Sequence, residues 1–216
     1  MKQTKGLLAI VLLSLTAFSF GQKKLNLAAV LEDQQVKVVN RTISIYDMDP
    51  AALEMDAAEG DGLAVLKELT FETGTIELEL LGENNPGKSF IGIAFNIQDK
   101  ESFEAIYFRP FNFVATEQMR KDHMLQYVCH PEYTWYKLRE ERSGEFENEI
   151  SSPPDPDGWF TATIIVLEKT VEVYVNDQAE PALKVERLAS FKSDKIGLWV
   201  GNGSSGRFRK LLVSAD

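Results

Sequence analysis

A chain of 216 residues with 44% hydrophobic and 26% charged residues has the make-up of a folded globular protein, which excludes a disordered chain, a collagen and a multi-span membrane protein. Acidic residues (33) outnumber basic ones (23), and the net charge of −10 gives the surface no electrostatic reason to bind nucleic acid or anionic lipid.

Residues 1–21 read as an export signal. Lys2 and Lys5 precede the apolar stretch from Gly6 to Phe20, and the small residues Ser19 and Gly21 close it. The mature chain is expected to begin at Gln22, to be periplasmic or secreted, and to form one domain over residues 22–216. After the signal no apolar run approaches the roughly 20 residues of a membrane span. Cys129 is the only cysteine, so it forms no internal disulfide, and between Val128 and His130 it reads as a small buried residue.

From there on, short runs rich in Val, Ile, Phe and Tyr alternate with Gly, Asn, Asp and Pro. This pattern predicts an all-β fold, a two-sheet antiparallel β-sandwich with one long irregular loop. The predicted strands are 36–39, 41–46, 63–66, 75–81, 90–97, 103–109, 125–128, 160–167, 171–176, 182–185, 196–200 and 208–213. Period-two alternation puts Val171, Val173 and Val175 on an inward face, and sets Thr75, Glu77 and Glu79 against inward Ile76, Leu78 and Leu80. In 103–109, however, Glu104 shares a face with Ile106 and Phe108, where a carboxylate must find a partner or keep its proton. Pro110 ends that strand just after Arg109.

Two segments are expected to be irregular. Residues 47–62 carry Asp47, Asp49, Glu54, Asp56, Glu59 and Asp61 among alanines. Calcium is a conceivable ligand of such a loop, but the spacing matches no EF-hand, and a solvated acidic loop or short helix is the simpler reading. Residues 111–156 hold both histidines, the cysteine, Trp135 and a concentration of Arg and Glu. The rings of Tyr127, Tyr133, Trp135 and Tyr136 suit the C–H faces of a sugar, and Arg109, Asn112, Gln126, His130 and Arg139 suit its hydroxyls. The alternative is that Arg–Glu pairs and aromatic plugs merely hold the loop together. Glu104 and Glu141, with His123 or His130 assisting, are the candidates for acid–base catalysis. No metal is expected: His123 and His130 are seven apart and lack the short ligand pair of a zinc site. There is no G-x-S-x-G elbow, and the glycine-rich run 201–206 lacks the helix of a phosphate cradle. Trp159 and Trp199, within or beside strands, are expected to be structural, and Trp135 functional.

Gly158-Trp159, residues 171–176, Gly197-Leu198-Trp199-Val200-Gly201 and residues 208–213 resemble the closing strands of concanavalin A-like lectin/glucanase (laminin-G-like) jelly rolls. Within that superfamily the chain is similar to bacterial exported domains related to the 3-keto-disaccharide hydrolases. Tyr107-Phe108-Arg109-Pro110, Gln126-Tyr127, His130-Pro131, Trp135, Leu138-Arg139, Glu141, Gly144 and Phe146-Glu147 look like a pattern that recurs in one branch of such domains. The resemblance spans roughly residues 60–214. It implies a carbohydrate-binding jelly roll, alternatively a glycoside-cleaving enzyme, and as a third reading a laminin-G-like protein-interaction module. Laminarinase-type members carry E-x-D-x-x-E on one strand, whereas residues 77–82 run Glu-Leu-Glu-Leu-Leu-Gly. In the keto-disaccharide hydrolases a strand resembling 103–109 carries Gln and Asp, where this chain keeps Glu104 but has Ile106 and Arg109. Neither activity transfers directly.

Overall fold

The computed structural model describes residues 22–216, and the expected export signal, residues 1–21, lies outside the described residues. In chain order the elements are β1 (Lys23–Lys24), α1 (Leu27–Glu32), β2 (Val36–Val39), β3 (Ile43–Tyr46), β4 (Asp49–Met55), β5 (Gly62–Thr70), β6 (Gly74–Leu81), β7 (Ile91–Phe95) and β8 (Phe103–Phe108). They continue with α2 (Gln118–Lys121), β9 (Leu125–His130), α3 (Trp135–Glu141), β10 (Glu147–Asn148), β11 (Phe160–Val166), β12 (Thr170–Val175), β13 (Leu183–Glu186), β14 (Lys195–Val200) and β15 (Gly206–Ala215). Two antiparallel sheets result. One is ordered β13-β12-β11-β6-β15-β4-β3, with β1 added on β15; the other is ordered β10-β9-β8-β7-β14-β5-β2.

The core lies between the sheets and follows the period-two pattern. Val171, Val173 and Val175 are fully buried, as are Ile76, Leu78 and Leu80. Phe108 of the seven-stranded sheet meets Phe160 of the other edge to face at 5.0 Å, which fixes the inward face of β8 as the one carrying Glu104, Ile106 and Phe108. Asn176 takes a left-handed φ of 51° after β12, a conformation Asn tolerates, and its Oδ1 accepts from Thr161 N–H.

Two expectations need correction. Residues 47–62 are not an irregular acidic loop, because β4 runs through them and pairs with both β3 and β15. Alternation is hidden there by a register shift at Tyr46 and by burial of consecutive Ala52 and Leu53. Three of their acids have basic or backbone partners: Asp49 pairs with Arg209, Glu54 with Arg207, and Asp56 accepts from Thr42 N–H. Likewise, residues 111–156 are not one long loop. The strand expected at 125–128 is present as β9, an inner strand between β8 and β10, and α2 and α3 occupy the connections around it.

Candidate functional site

Because cross-strand partners point to the same side of a sheet, the register defines one row across the outer face of the seven-stranded sheet. It runs Glu147, Gln126, Tyr107, Gly92, Trp199, Leu63, Val39. Gly92 sits between two large rings, and a Cβ there would stand 2.0 Å from the Ile106 carbonyl and 2.8 Å from Tyr107 Cβ. Across this gap Tyr107 and Trp199 approach to 4.9 Å. Gly201 keeps the far side open: a Cβ there would meet Phe90 Cβ at 2.7 Å and Trp199 Cη2 at 3.0 Å.

Above this row lies a cleft of about 640 Å³. Phe90, Tyr107 and Trp199 line it with rings, Arg109, Arg120, Arg139, His123 and Asn112 line one side, and Asp61, His130 and Asn202 line another. A second recess of about 730 Å³ shares Asp61, His130 and Thr134 with it, so the open surface is elongated.

Helix α3 supplies the rim. The Thr134 side chain caps it by accepting from Lys137 N–H, and Leu138 anchors it in the core. Trp135 and Arg139, four residues apart, fall on one helical face, where the guanidinium lies 5.1 Å from the indole. Trp135 stays 46% exposed.

Glu147 organises the polar side. Its carboxylate accepts from Arg139 Nε at 3.0 Å and Nη2 at 2.6 Å, a bidentate fork. Arg109 Nη1 approaches it to 4.0 Å, and His123 Nδ1 lies 2.8 Å away without the alignment of a hydrogen bond. Arg109 is only 5% exposed. It donates to the Tyr107 hydroxyl at 2.7 Å, the His123 carbonyl at 2.9 Å and Gln126 Oε1. Tyr107 in turn donates to Gln126 Oε1 at 2.9 Å. Asn112 donates to the His123 carbonyl and accepts from Arg120 Nε. Burial pulls Arg109 and His123 below their ordinary values and raises Tyr107. At the other end, burial raises Asp61 and lowers His130, each partly offset by the charge of the other. His130 also stacks flat on Phe103 at 4.9 Å.

Of the residues singled out from sequence, Arg109, Asn112, His123, His130, Trp135 and Arg139 therefore meet in the cleft. Gln126 lies beneath it, holding Arg109; among the described residues its Nε2 and the Trp199 indole N–H have no partner. Five residues lie elsewhere, among them Tyr133, just before α3, and Tyr136, exposed on it, neither of which lines the cleft. Tyr127 and Glu104 point into the sandwich, where Tyr127 donates to Glu104 at 2.7 Å. Glu104, fully buried, is clamped by Arg187 at 2.6 and 3.1 Å and by Asn96 at 2.6 Å. Glu141 is exposed on α3 away from the cleft lining. The pairing demanded of Glu104 is thus met, in the core and not at a site. Trp199, expected to be structural, is 3% exposed and well packed, yet it also lines the cleft. Trp159 carries the Arg209 guanidinium at 4.2 Å near the eight-stranded sheet.

Sequence reasoning gave no site role to Glu147, Asp61, Tyr107 or Arg120, although Tyr107 and Glu147 stand in the recurring pattern on which the resemblance rests. Glu147 belongs to a two-residue strand too short to show a period, and only its register opposite Gln126 places it. Among the described residues no group of three or more His, Cys, Asp or Glu is placed to hold a metal ion, and no helix is long and apolar enough to cross a membrane.

No family model and no curated protein matches the sequence. The fold is that of the concanavalin A-like jelly rolls, as structural neighbours make plain. Carbohydrate-binding module CBM66 from Bacillus subtilis superposes with a TM-score of 0.58 at 12% identity, over 82% of this chain and 93% of that one. The exoplasmic/lumenal domain of VIP36, in its Ca2+/Man3GlcNAc-bound form, gives 0.54 at 10% identity over 83% and 85%. The β-glucanase of Bacillus licheniformis gives 0.52 at 11% identity over 93% and 94%. At these identities the likeness is one of fold.

Proposed function

We propose that the protein is an exported, lectin-like carbohydrate-binding domain that takes an oligosaccharide along the outer face of the seven-stranded sheet. The cleft carries this reading: rings of Phe90, Tyr107 and Trp199 at its base, Trp135 at its rim, and forked donors on one side. That is the combination that grips a sugar by its C–H faces and its hydroxyls together. The elongated opening suits a chain of sugar units better than a single one. The names of the neighbours, a carbohydrate-binding module, a Man3GlcNAc-bound domain and a β-glucanase, add support. Export rests on the residue succession of positions 1–21.

A glycoside-cleaving role has less behind it. Such enzymes generally set two carboxyl groups across the scissile bond, about 5–5.5 or 6.5–9.5 Å apart. Here Glu104 is locked in the core, Glu141 lies away from the cleft, Glu147 is engaged by Arg139, and Asp61, among the described residues the one carboxylate in the cleft lining, has no second carboxylate facing it there. The test is an oligosaccharide array followed by calorimetry on wild type and Trp135→Ala. Losing the rim ring should weaken binding about tenfold or more, a stacking energy of roughly 1–3 kcal/mol by analogy with bases on aromatic platforms. A variant that binds as wild type would remove Trp135 from the site, and a blank array would overturn the reading.

A further inference from the structure

We propose that the sugar recognised in this cleft is acidic, bearing a carboxylate or sulfate group placed between Arg139 and Arg120. The proposal rests on the carbohydrate-binding reading and specifies its ligand class. It follows from an imbalance of charge. Glu147 is the carboxylate that the cleft arginines share: its one negative charge is met by Arg139, through two hydrogen bonds, and by Arg109 at 4.0 Å. Arg109 is nearly buried, and its other partners are neutral: a phenol, an amide and a carbonyl. Two guanidinium charges therefore face one carboxylate in a setting partly withdrawn from water, where an unmatched charge is costly and an incoming anion is favoured.

Arg120 increases the excess. Its Nε and Nη2 hold Asn112 and the Phe111 carbonyl, and its one acidic neighbour, Glu117, is an exposed surface partner at 3.9 Å, a kind of pair that contributes little. Among the described residues the Nη1 groups of Arg139 and Arg120 make no hydrogen bond, and both residues line the cleft. The carboxylate in the cleft lining, Asp61, has His130 and Arg41 as its charged neighbours and makes no ion pair with Arg109, Arg120 or Arg139, so it offsets this excess only in part. In a chain of net charge −10, a cationic recess next to an aromatic rim is a local departure from the overall field. Charge and ring together fit a sugar unit with one anionic substituent.

The experiment compares matched pairs by calorimetry on the mature protein: tetragalacturonate against its methyl ester, and a sulfated galacto-oligosaccharide against its desulfated form. The acidic member of at least one pair should bind about tenfold tighter, and the pair that responds identifies the group. Arg120→Gln and Arg139→Gln should each reduce that preference to about threefold or less. If Arg139→Gln does not fold, because it releases Glu147, Arg120→Gln gives the same readout. Neutral members binding as tightly as acidic ones would overturn the acidic assignment and leave carbohydrate binding standing. Failure of these pairs and of a broad neutral array would overturn both.

Discussion

Replacing Glu147 by Gln keeps the shape of the side chain and removes the charge around which the polar side of the cleft is arranged. Breaking a buried ion pair from one side typically costs roughly 3–5 kcal/mol, because the remaining charge is left unmatched. Two features move this case to the low end. The Arg139 side chain is 31% exposed and regains some hydration, and the Arg109 contact is at 4.0 Å. The new amide oxygen can still accept one bond from Arg139, which leaves a net loss of about 2–3 kcal/mol. For a chain of this size each kcal/mol lowers Tm by roughly 2–4 °C, so the variant should melt about 5–10 °C lower. Urea unfolding and scanning calorimetry would measure both quantities. Glu145→Gln serves as a control, since its partner Arg142 is 36% exposed and the pair should contribute less than about 1 kcal/mol. If Glu147→Gln cost no more than the control, the cluster would behave as a screened surface pair, and the reasoning from desolvated charge would fail.

Three further outcomes are expected. Arg187→Met leaves the Glu104 carboxylate fully buried with only Asn96 and Tyr127 as partners, so urea titration should register a loss of roughly 3–5 kcal/mol; a loss below about 1 would contradict the clamp. Burial and the nearby Glu104 push the Cys129 thiol up to about 12, so a thiol reagent at pH 8 should label it only after unfolding, and labelling of native protein at the free-thiol rate would contradict this. Burial lowers the folded-state pKa of His123 below its ordinary 6.5, so the unfolded chain takes up that proton first as pH falls. Stability should therefore drop as pH falls through about 6.5 toward the folded value, with a smaller drop in His123→Gln; identical pH profiles for the two proteins would contradict it.

Much of the sandwich could be read directly from alternation, as at Val171, Val173 and Val175, where side-chain period and burial coincide. The anomaly at Glu104 was legible as a demand for a partner, but not the partner itself, because Arg187 lies 83 residues further on and only the closure of the two sheets brings it there. β4 was missed because its buried positions are consecutive and its acids look solvated until Arg207 and Arg209 of β15 arrive beside them. At the site, Arg109, Asn112, His123, His130, Trp135 and Arg139 were readable as residue types suited to a polar ligand. Their convergence was not readable, since it depends on β9 pairing with β8 and β10. Tyr127 and Gln126 illustrate the limit. They are adjacent in a strand, so they must face opposite ways, and the register decides which of them lies beneath the cleft.

The most direct test of carbohydrate binding in this cleft uses the three indole N–H groups as separate reporters. In a 1H–15N titration with the tightest-binding oligosaccharide from the array, Trp135 at the rim and Trp199 at the base should shift progressively and saturate with one affinity. Trp159, packed against Arg209 near the other sheet, should not move. Shifts of Trp159 with Trp135 and Trp199 unchanged, or no indole response to any oligosaccharide, would contradict the assignment of this cleft as the binding site.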